Sequence, residues 1–212
     1  MIELSGAVLA TLQWMKLSHA DSCPYCVRTR LVLAAKGVEH ESVQVDLSNK
    51  PAWLREMNPR NRVPVLEHDG RVIYESEALA EYLDEVFPEP RMMPADAVGR
   101  AGVRMLMRRF EDLSDAYYAV RRGEDGALDE MHAQLGWVEE LLGQHDYLAG
   151  DAYTLAEPAY WPWIVRVDRV GGSLEAFPAI LAWLERLDAR PEYRVEHELL
   201  GLGATPGSRA AR

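Results

Sequence analysis

Residues 12–37, LQWMKLSHADSCPYCVRTRLVLAAKG, decide the fold, because the hydrophobic period changes inside them. Leu12, Trp14, Met15 and Leu17, interrupted by Gln13 and Lys16, suit a mostly buried strand. Ser18 to Ser22 reads as a loop. From Pro24 the spacing lengthens: Val27, Leu31, Ala34 and Ala35 share one helical face, Arg28, Arg30 and Lys36 lie off it, and Gly37 is placed to cap the end. Pro24 then takes the first helical position and Cys23 the cap.

A thiol at that position has chemical consequences, because free N–H groups and the helix dipole stabilise an anion there. Cysteines at helix N-termini or in Cys-x-x-Cys pairs have pKa values of about 3.5–7.5, and Cys23 is expected in that range. Cys26, one turn further in, should be less exposed and closer to an ordinary thiol, within disulfide reach of Cys23 and able to resolve a mixed disulfide formed there. A structural zinc site is the competing reading. It would take Cys23, Cys26 and His19, but these are the only two cysteines and no second ligand pair follows in sequence. His19 reads as a solvated loop residue, with polarisation of the Cys23 thiol as the alternative.

Composition narrows the class. The 212 residues, 48% hydrophobic and 27% charged, suffice for one large or two small domains with a sizeable core. A formal charge of -11 argues against binding nucleic acid or an anionic membrane through the general field of the protein. The first ten residues carry Glu3 in place of a basic start and lack a long apolar core, so they do not read as a signal peptide. No apolar run reaches the ~18 residues of a membrane helix. A reactive thiol pair in a protein expected in the cytoplasm is catalytic before it is structural.

Further along, Ser42 to Asp46 reads as a second strand and Pro51 to Met57 as a short helix. Val63 to Leu66 and Val72 to Tyr74 form a hairpin about Asp69-Gly70, and Ser76 to Phe87 is a helix with Leu79, Ala80, Leu83, Val86 and Phe87 inward. The order is βαβαββα. After the proline-rich stretch from Pro88 to Pro94 no strand pattern follows; helices are expected over Gly99 to Arg122, Leu128 to Leu142, from Thr154 through Val167, over Leu174 to Leu187, and over Glu192 to Leu199. Thr154-Leu155-Ala156-Glu157 is a capping box, with Glu157 reaching the Thr154 N–H and the Thr154 hydroxyl bonding the Glu157 N–H.

A βαβαββα half with Cys-Pro-Tyr-Cys at its first helix, Val63-Pro64 before the third strand and Glu75-Ser76 at the third helix, followed by an all-helical half, resembles the cytosolic glutathione transferase family. The resemblance implies an α/β thioredoxin-like glutathione-binding domain over 1–88, a linker over 89–98, an all-α domain over 99–200 and a flexible tail over 201–212. A cysteine at the active position resembles the omega-type branch, and the second cysteine makes the site look glutaredoxin-like. Carried over, Cys23 and Cys26 are catalytic. Val63, ahead of a cis Pro64, pairs its backbone with glutathione; Ser76 and Glu75 take the γ-glutamyl carboxylate and ammonium; Lys50 meets the glycyl carboxylate. The second substrate is expected against Tyr25, Tyr117 and Tyr118, with Arg121, Trp161 and Trp163 as further candidates; at least one tryptophan is expected to be plain core.

The implied activity is glutathione-dependent thiol transfer or reduction, with glutathione as cosubstrate, no metal, a small electrophilic or disulfide substrate, and a homodimer through the first helices of the helical half. The alternatives are a glutathione-dependent dehalogenase or isomerase on the same site, and a non-enzymatic transcription partner similar to stringent starvation protein A.

Overall fold

The computed structural model describes residues 14–202. Four strands, β1 (Met15–His19), β2 (Glu41–Gln44), β3 (Val65–His68) and β4 (Arg71–Tyr74), form one sheet in the order β2-β1-β3-β4. β2 runs parallel to β1, while β3 is antiparallel to both β1 and β4. Helices α1 (Pro24–Ala35), α2 (Ala52–Met57) and α3 (Ser76–Val86) are interleaved, giving the βαβαββα order of a thioredoxin-like half. Five helices follow: α4 (Ala97–Arg122), α5 (Ala127–Leu142), α6 (Ala156–Ile164), α7 (Pro178–Asp188) and α8 (Pro191–Leu199), with one 3-10 turn at Val167–Val170.

The first strand departs from its sequence pattern. It starts at Met15, with Trp14 outside it and exposed, and it continues through Ser18 and His19, so part of the expected loop is strand. Pairing explains this: Ser18 and His19 lie opposite Val43 and Gln44 of β2, and the ladder, not side-chain polarity, fixes where the strand ends. Leu12 and Gln13, the first ten residues and nearly all of the expected tail lie outside the described residues.

Helix α1 departs further. Its basic residues do not face solvent: Arg28, Arg30 and Lys36 are all buried, because α1 lies among the sheet, α3, α6 and α8 and has almost no free face. Each buried cation then needs a partner. Arg30 donates to both carboxylate oxygens of Glu196 in α8, at 2.7 and 2.5 Å, and Lys36 Nζ pairs with Asp84 Oδ1 at 2.5 Å. The Arg28 guanidinium stacks 4.0 Å from the Phe110 ring centroid and lies 3.7 Å from Glu77 Oε1. The helix stops as expected at Gly37, whose φ of +64° lets the Val38 and Gly37 N–H groups return to the Leu33 and Ala34 carbonyls, both at 3.0 Å.

In the helical half, sequence patterns locate the helices but miss several ends. Asp96 caps α4 by accepting from the Gly99 N–H at 2.8 Å, so the helix begins before Gly99. α6 ends at Ile164, leaving Val165 and Val167 outside it. There the Arg166 side chain takes the Pro162 carbonyl, and the Arg166 N–H turns back to the Trp163 carbonyl at 3.1 Å. α7 begins at Pro178, not Leu174, where the Glu139 carboxylate of α5 accepts from the Ala179 and Ile180 N–H groups at 2.8 and 2.9 Å. That cap comes from another helix and has no local sequence signal.

The capping box is half as expected. The Glu157 carboxylate does accept from the Thr154 N–H, at 2.7 Å. The Thr154 hydroxyl, however, donates to Glu157 at 2.9 Å and accepts from the Ala156 N–H at 3.2 Å, not from Glu157 N–H. The other Glu157 oxygen reaches the Leu148 N–H at 2.8 Å, so one buried carboxylate ties the 148 loop to the start of α6. Burial raises its pKa to about 7 against the opposing pull of these donors.

Candidate active site

The topology gathers the sequence-predicted residues at one end of the sheet. The C-terminal ends of β1 and β2, the N-terminal end of β3 and the C-terminal end of β4 coincide there, with Ser18 opposite Val65 and Val65 opposite Tyr74. Cys23 follows β1, Lys50 follows β2, Val63-Pro64 precedes β3 and Glu75-Ser76 follows β4. Cys23 and Met57 pack on a small buried cluster of Ala20, Cys26, Val45, Leu54, Val63 and Val65, which joins the thiol helix to the Val63-Pro64 turn.

Cys23 occupies the N-cap of α1 with extended backbone geometry, and Pro24 is the first helical residue. Its thiol is drawn down from the ordinary value to about 7. The largest cause is a hydrogen bond from Cys26, which outweighs burial; the N–H groups of Cys26 and Tyr25 and the charge of Arg30 add to it. Cys26 is fully buried and its own thiol is pushed well above the ordinary value, by burial first and then by donation to Cys23. The Ala20 N–H also contacts Cys26 Sγ at 3.5 Å. The pair is therefore asymmetric: the Cys23 thiol is drawn down and the Cys26 thiol behind it is pushed up.

A pH series follows from these directions. Above about pH 7 Cys23 is mainly thiolate and below it mainly thiol, so alkylation by iodoacetamide should rise through a midpoint near 7, with one equivalent taken up by the folded protein. Mass spectrometry of the quenched product reads both; a midpoint at the ordinary thiol value, or modification at Cys26 first, would contradict the assignment.

His19 is not a solvated loop residue. It is buried in β1, where its Nδ1 accepts from Arg30 Nη1 at 3.1 Å and its Nε2–H donates to Ser42 Oγ. Burial, reinforced by Arg30, lowers its pKa to about 4, so it is neutral and engaged on both sides. No group of three or more metal-ligating side chains occurs among the described residues.

Around the thiol, the Val63–Pro64 peptide is cis. Pro64 lies just outside β3, which begins two residues later than expected from the sequence at Val63. Glu75 precedes α3 with φ +70°, a left-handed backbone in a non-glycine residue, and its carboxylate meets Arg60 Nη1 at 3.1 Å on the surface. Ser76 opens α3, and its hydroxyl oxygen accepts from Arg28 Nη1 at 3.3 Å. Lys50 is exposed, and its Nζ donates to the Asn61 carbonyl at 3.0 Å.

Tyr25 extends from the thiol helix onto the helical half, edge-on to Trp163 at 5.5 Å and Phe110 at 6.2 Å. Tyr117 and Tyr118 pack edge-on to the same Trp163 at 5.6 and 5.3 Å. Trp163 is the buried hub of this cluster, and Trp161 is core, fully buried against Tyr193 and His197. Neither tryptophan lines the cleft beside Cys23. That cleft, of about 370 Å³, is lined by Ser22 and Pro24 beside the thiol and by Tyr117, Tyr118 and Arg121 of α4, while Tyr25 is not among its lining residues.

Sequence reading missed Arg28, Arg30, Arg60, Arg166 and Arg169, all now placed at or behind the site. A signal existed for two of them: α1 carries Arg28 and Arg30 with no acid of its own, in a chain of net charge -11.

A poised cysteine on a thioredoxin-like half, joined through aromatic packing to an all-helical half, defines a thiol-dependent transferase architecture. Comparison specifies it further. Residues 17–91 match the glutathione S-transferase N-terminal domain and residues 94–186 the glutathione S-transferase C-terminal domain. The chain belongs to the glutathione S-transferase family. It is similar to glutathione S-transferase omega-2 of Rattus norvegicus, 35% identical over 180 residues that cover 80% of this chain and 73% of the relative. It is also similar to a stringent starvation protein A homolog of Haemophilus influenzae, 34% identical over 178 residues, covering 80% and 83%. Among solved structures, rice GST1 in complex with glutathione superposes with a TM-score of 0.82 at 26% identity, covering 91% of this chain and 95% of that one.

Proposed function

We propose that this protein is a glutathione-dependent thiol transferase of omega-like type, working through a mixed disulfide at Cys23. The observation that carries the reading is the asymmetric thiol pair: Cys23 at the mouth of the helix and held near pKa 7, with Cys26 buried behind it as donor. The Cys23 thiolate attacks the glutathione sulfur of a disulfide RS–SG; the S–S bond breaks, RS⁻ leaves and takes a proton from solvent, and Cys23 becomes glutathionylated. A second glutathione thiolate then attacks that sulfur and leaves as oxidised glutathione, restoring Cys23. The net change is RSSG + GSH → RSH + GSSG. Cys26 offers an internal route: its sulfur attacks Cys23, glutathione leaves as GSH and a Cys23–Cys26 disulfide forms, which two further glutathione molecules reduce to the dithiol, leaving as GSSG with the same net change.

Glutathione would be bound along the sheet end described above. The Ser76 N–H and hydroxyl at the head of α3 suit the γ-glutamyl carboxylate, Glu75 suits its ammonium, the Val63 backbone beside Pro64 suits the cysteinyl amide, and Lys50 suits the glycyl carboxylate. Tyr117 and Tyr118, which line the cleft, suit the second substrate, with Tyr25 packed behind them on Trp163. The dehalogenase and isomerase readings have no separate feature in their favour. The transcription-partner reading, despite the similarity to the Haemophilus protein, leaves a poised thiol unexplained.

Intact-protein mass spectrometry after incubation with oxidised glutathione is the test. Cys26→Ser should accumulate one stable glutathione adduct and Cys23→Ser none. Absence of an adduct in every form would overturn the reading.

Two finer points accompany it. A homodimer is proposed through α4, whose Val98 and Met105 are 82% and 73% exposed beside a groove of about 940 Å³ shared with α5. Light scattering of Met105→Glu against wild type tests it, and a wild-type monomer at micromolar concentration would dismiss it. A cytoplasmic location suits a site that needs reduced thiols, and among the described residues no helix is long and apolar enough to cross a membrane; fractionation decides the location.

A further inference from the structure

Arg166 and Arg169 complete the cleft beside Cys23 together with Arg121, so three guanidinium groups and no carboxylate line it. Their own interactions are few. The Arg121 guanidinium lies 5.8 Å from the Tyr118 ring centroid, Arg169 Nη2 donates to the Leu200 carbonyl at 2.7 Å, and Arg166 Nη1 donates to the Pro162 carbonyl.

Arg166 is the informative member. Four lysine or arginine side chains are buried among the described residues: Arg28, Arg30, Lys36 and Arg166. The first three each have a carboxylate within 4.0 Å, from Glu77, Glu196 and Asp84 respectively. Arg166, only 5% exposed, has none among the described residues, and its Nη2 is buried with no hydrogen-bond partner. An unpaired buried guanidinium is costly unless something supplies the missing anion. The chain around it carries a net charge of -11, so its general field repels anions, and this cleft is a local exception.

Resting on the thiol-transfer reading above, we infer that the second substrate is an anion: a small disulfide or electrophile whose non-glutathione part carries a carboxylate or sulfonate. Its charged end docks on Arg166, with Arg121 and Arg169 at the rim. With Nη1 held by the Pro162 carbonyl, only Nη2 of Arg166 is left without a partner, and the exposed Arg121 and Arg169 guanidinium groups supply the remaining charge, so that the anion orients the reacting sulfur relative to Cys23 as well as adding affinity.

Three mixed disulfides of glutathione test this, because they share the glutathionyl half and differ in the tail: 2-mercaptoethanesulfonate (anionic), 2-mercaptoethanol (neutral) and cysteamine (cationic). Wild-type kcat/KM at low salt should favour the sulfonate over the amine by about tenfold or more, equivalent to about 1.4 kcal/mol. The preference should shrink as salt rises. Comparing ratios between proteins cancels the intrinsic reactivity of the three disulfides. Arg166→Gln should reduce the sulfonate-to-mercaptoethanol ratio severalfold, and Arg166→Lys should retain part of it. Because Arg166 is buried, the surface variants Arg121→Gln and Arg169→Gln provide a second reading, each with a smaller fall.

Three results would overturn the inference: turnover of all three disulfides with no charge order, which leaves thiol transfer standing; an Arg166→Gln effect confined to the pH midpoint of Cys23 alkylation, which makes the residue a support for the thiolate; or a rise in KM for glutathione with the ratio unchanged, which assigns the cleft to glutathione itself. Failure to turn over any of the three removes the thiol-transfer reading and this inference together.

Discussion

Cys23→Ser is expected to bring glutathione-dependent disulfide reduction down to the background of free glutathione, a loss on the order of 10³ or more in kcat/KM. Serine keeps the size and the helix cap but cannot form the mixed disulfide, and its hydroxyl does not ionise near neutral pH. The effect should fall on turnover, with a much smaller loss of stability from the packing of Cys23 on the Ala20, Cys26 and Val63 cluster. Cys26→Ser should behave differently. It removes the second thiol but keeps an O–H donor behind Cys23, so single-turnover glutathionylation survives, whereas Cys26→Ala removes the donor that contributes most to lowering the Cys23 pKa and should move the alkylation midpoint upward. Steady-state reduction of a glutathionylated substrate by both serine variants, alongside thermal unfolding, separates these outcomes; retention of wild-type turnover by Cys23→Ser would remove the proposed nucleophile.

The second large effect is on stability. Arg30 and Glu196 form a buried pair between α1 and α8, at 2.7 and 2.5 Å, with both residues under a tenth exposed. Removing one partner leaves the other as an unpaired buried charge, and such a loss costs about 3–5 kcal/mol. For a chain of this size, that corresponds to a melting temperature lower by on the order of 10 °C in Arg30→Met or Glu196→Leu. Replacing both by Arg30→Met/Glu196→Leu should recover much of the loss, since well-packed apolar pairs can substitute for buried ion pairs. Arg30 also donates to the Ala20 and Asp21 carbonyls, at 3.3 and 3.2 Å, and so fixes the loop that leads into Cys23. Arg30→Met should therefore also raise the Cys23 alkylation midpoint, because the positive charge of Arg30 helps hold it down. Calorimetry of the two single variants and the double variant is the check; strictly additive losses would mean the pair is not coupled.

Local sequence signals were enough to read the order of elements and the place of Cys23 at the head of α1. The switch from strand-like to helical spacing around Cys23-Pro24-Tyr25-Cys26, the Asp69-Gly70 hairpin and the Thr154–Glu157 cap are local signals, and local hydrogen bonding and backbone preference act over the same few residues that carry them. Glu75 and Ser76 were legible for the same reason, as the opening of a helix.

What surrounds α1, and where the later helices end, was set by contacts between elements far apart in the chain. Arg28, Arg30 and Lys36 look like solvent-facing residues on a single helix, and they are buried because α3, α6 and α8 close over it, bringing Glu77, Asp84 and Glu196 from 48 to 166 positions away along the chain. His19 became a neutral internal link for the same reason. The start of α7 depends on a carboxylate from α5, and the end of α6 depends on where Arg166 turns its side chain. Long-range pairing of charge has no short sequence period, so a buried arginine and an exposed one read alike until the fold supplies, or for Arg166 withholds, the opposing carboxylate.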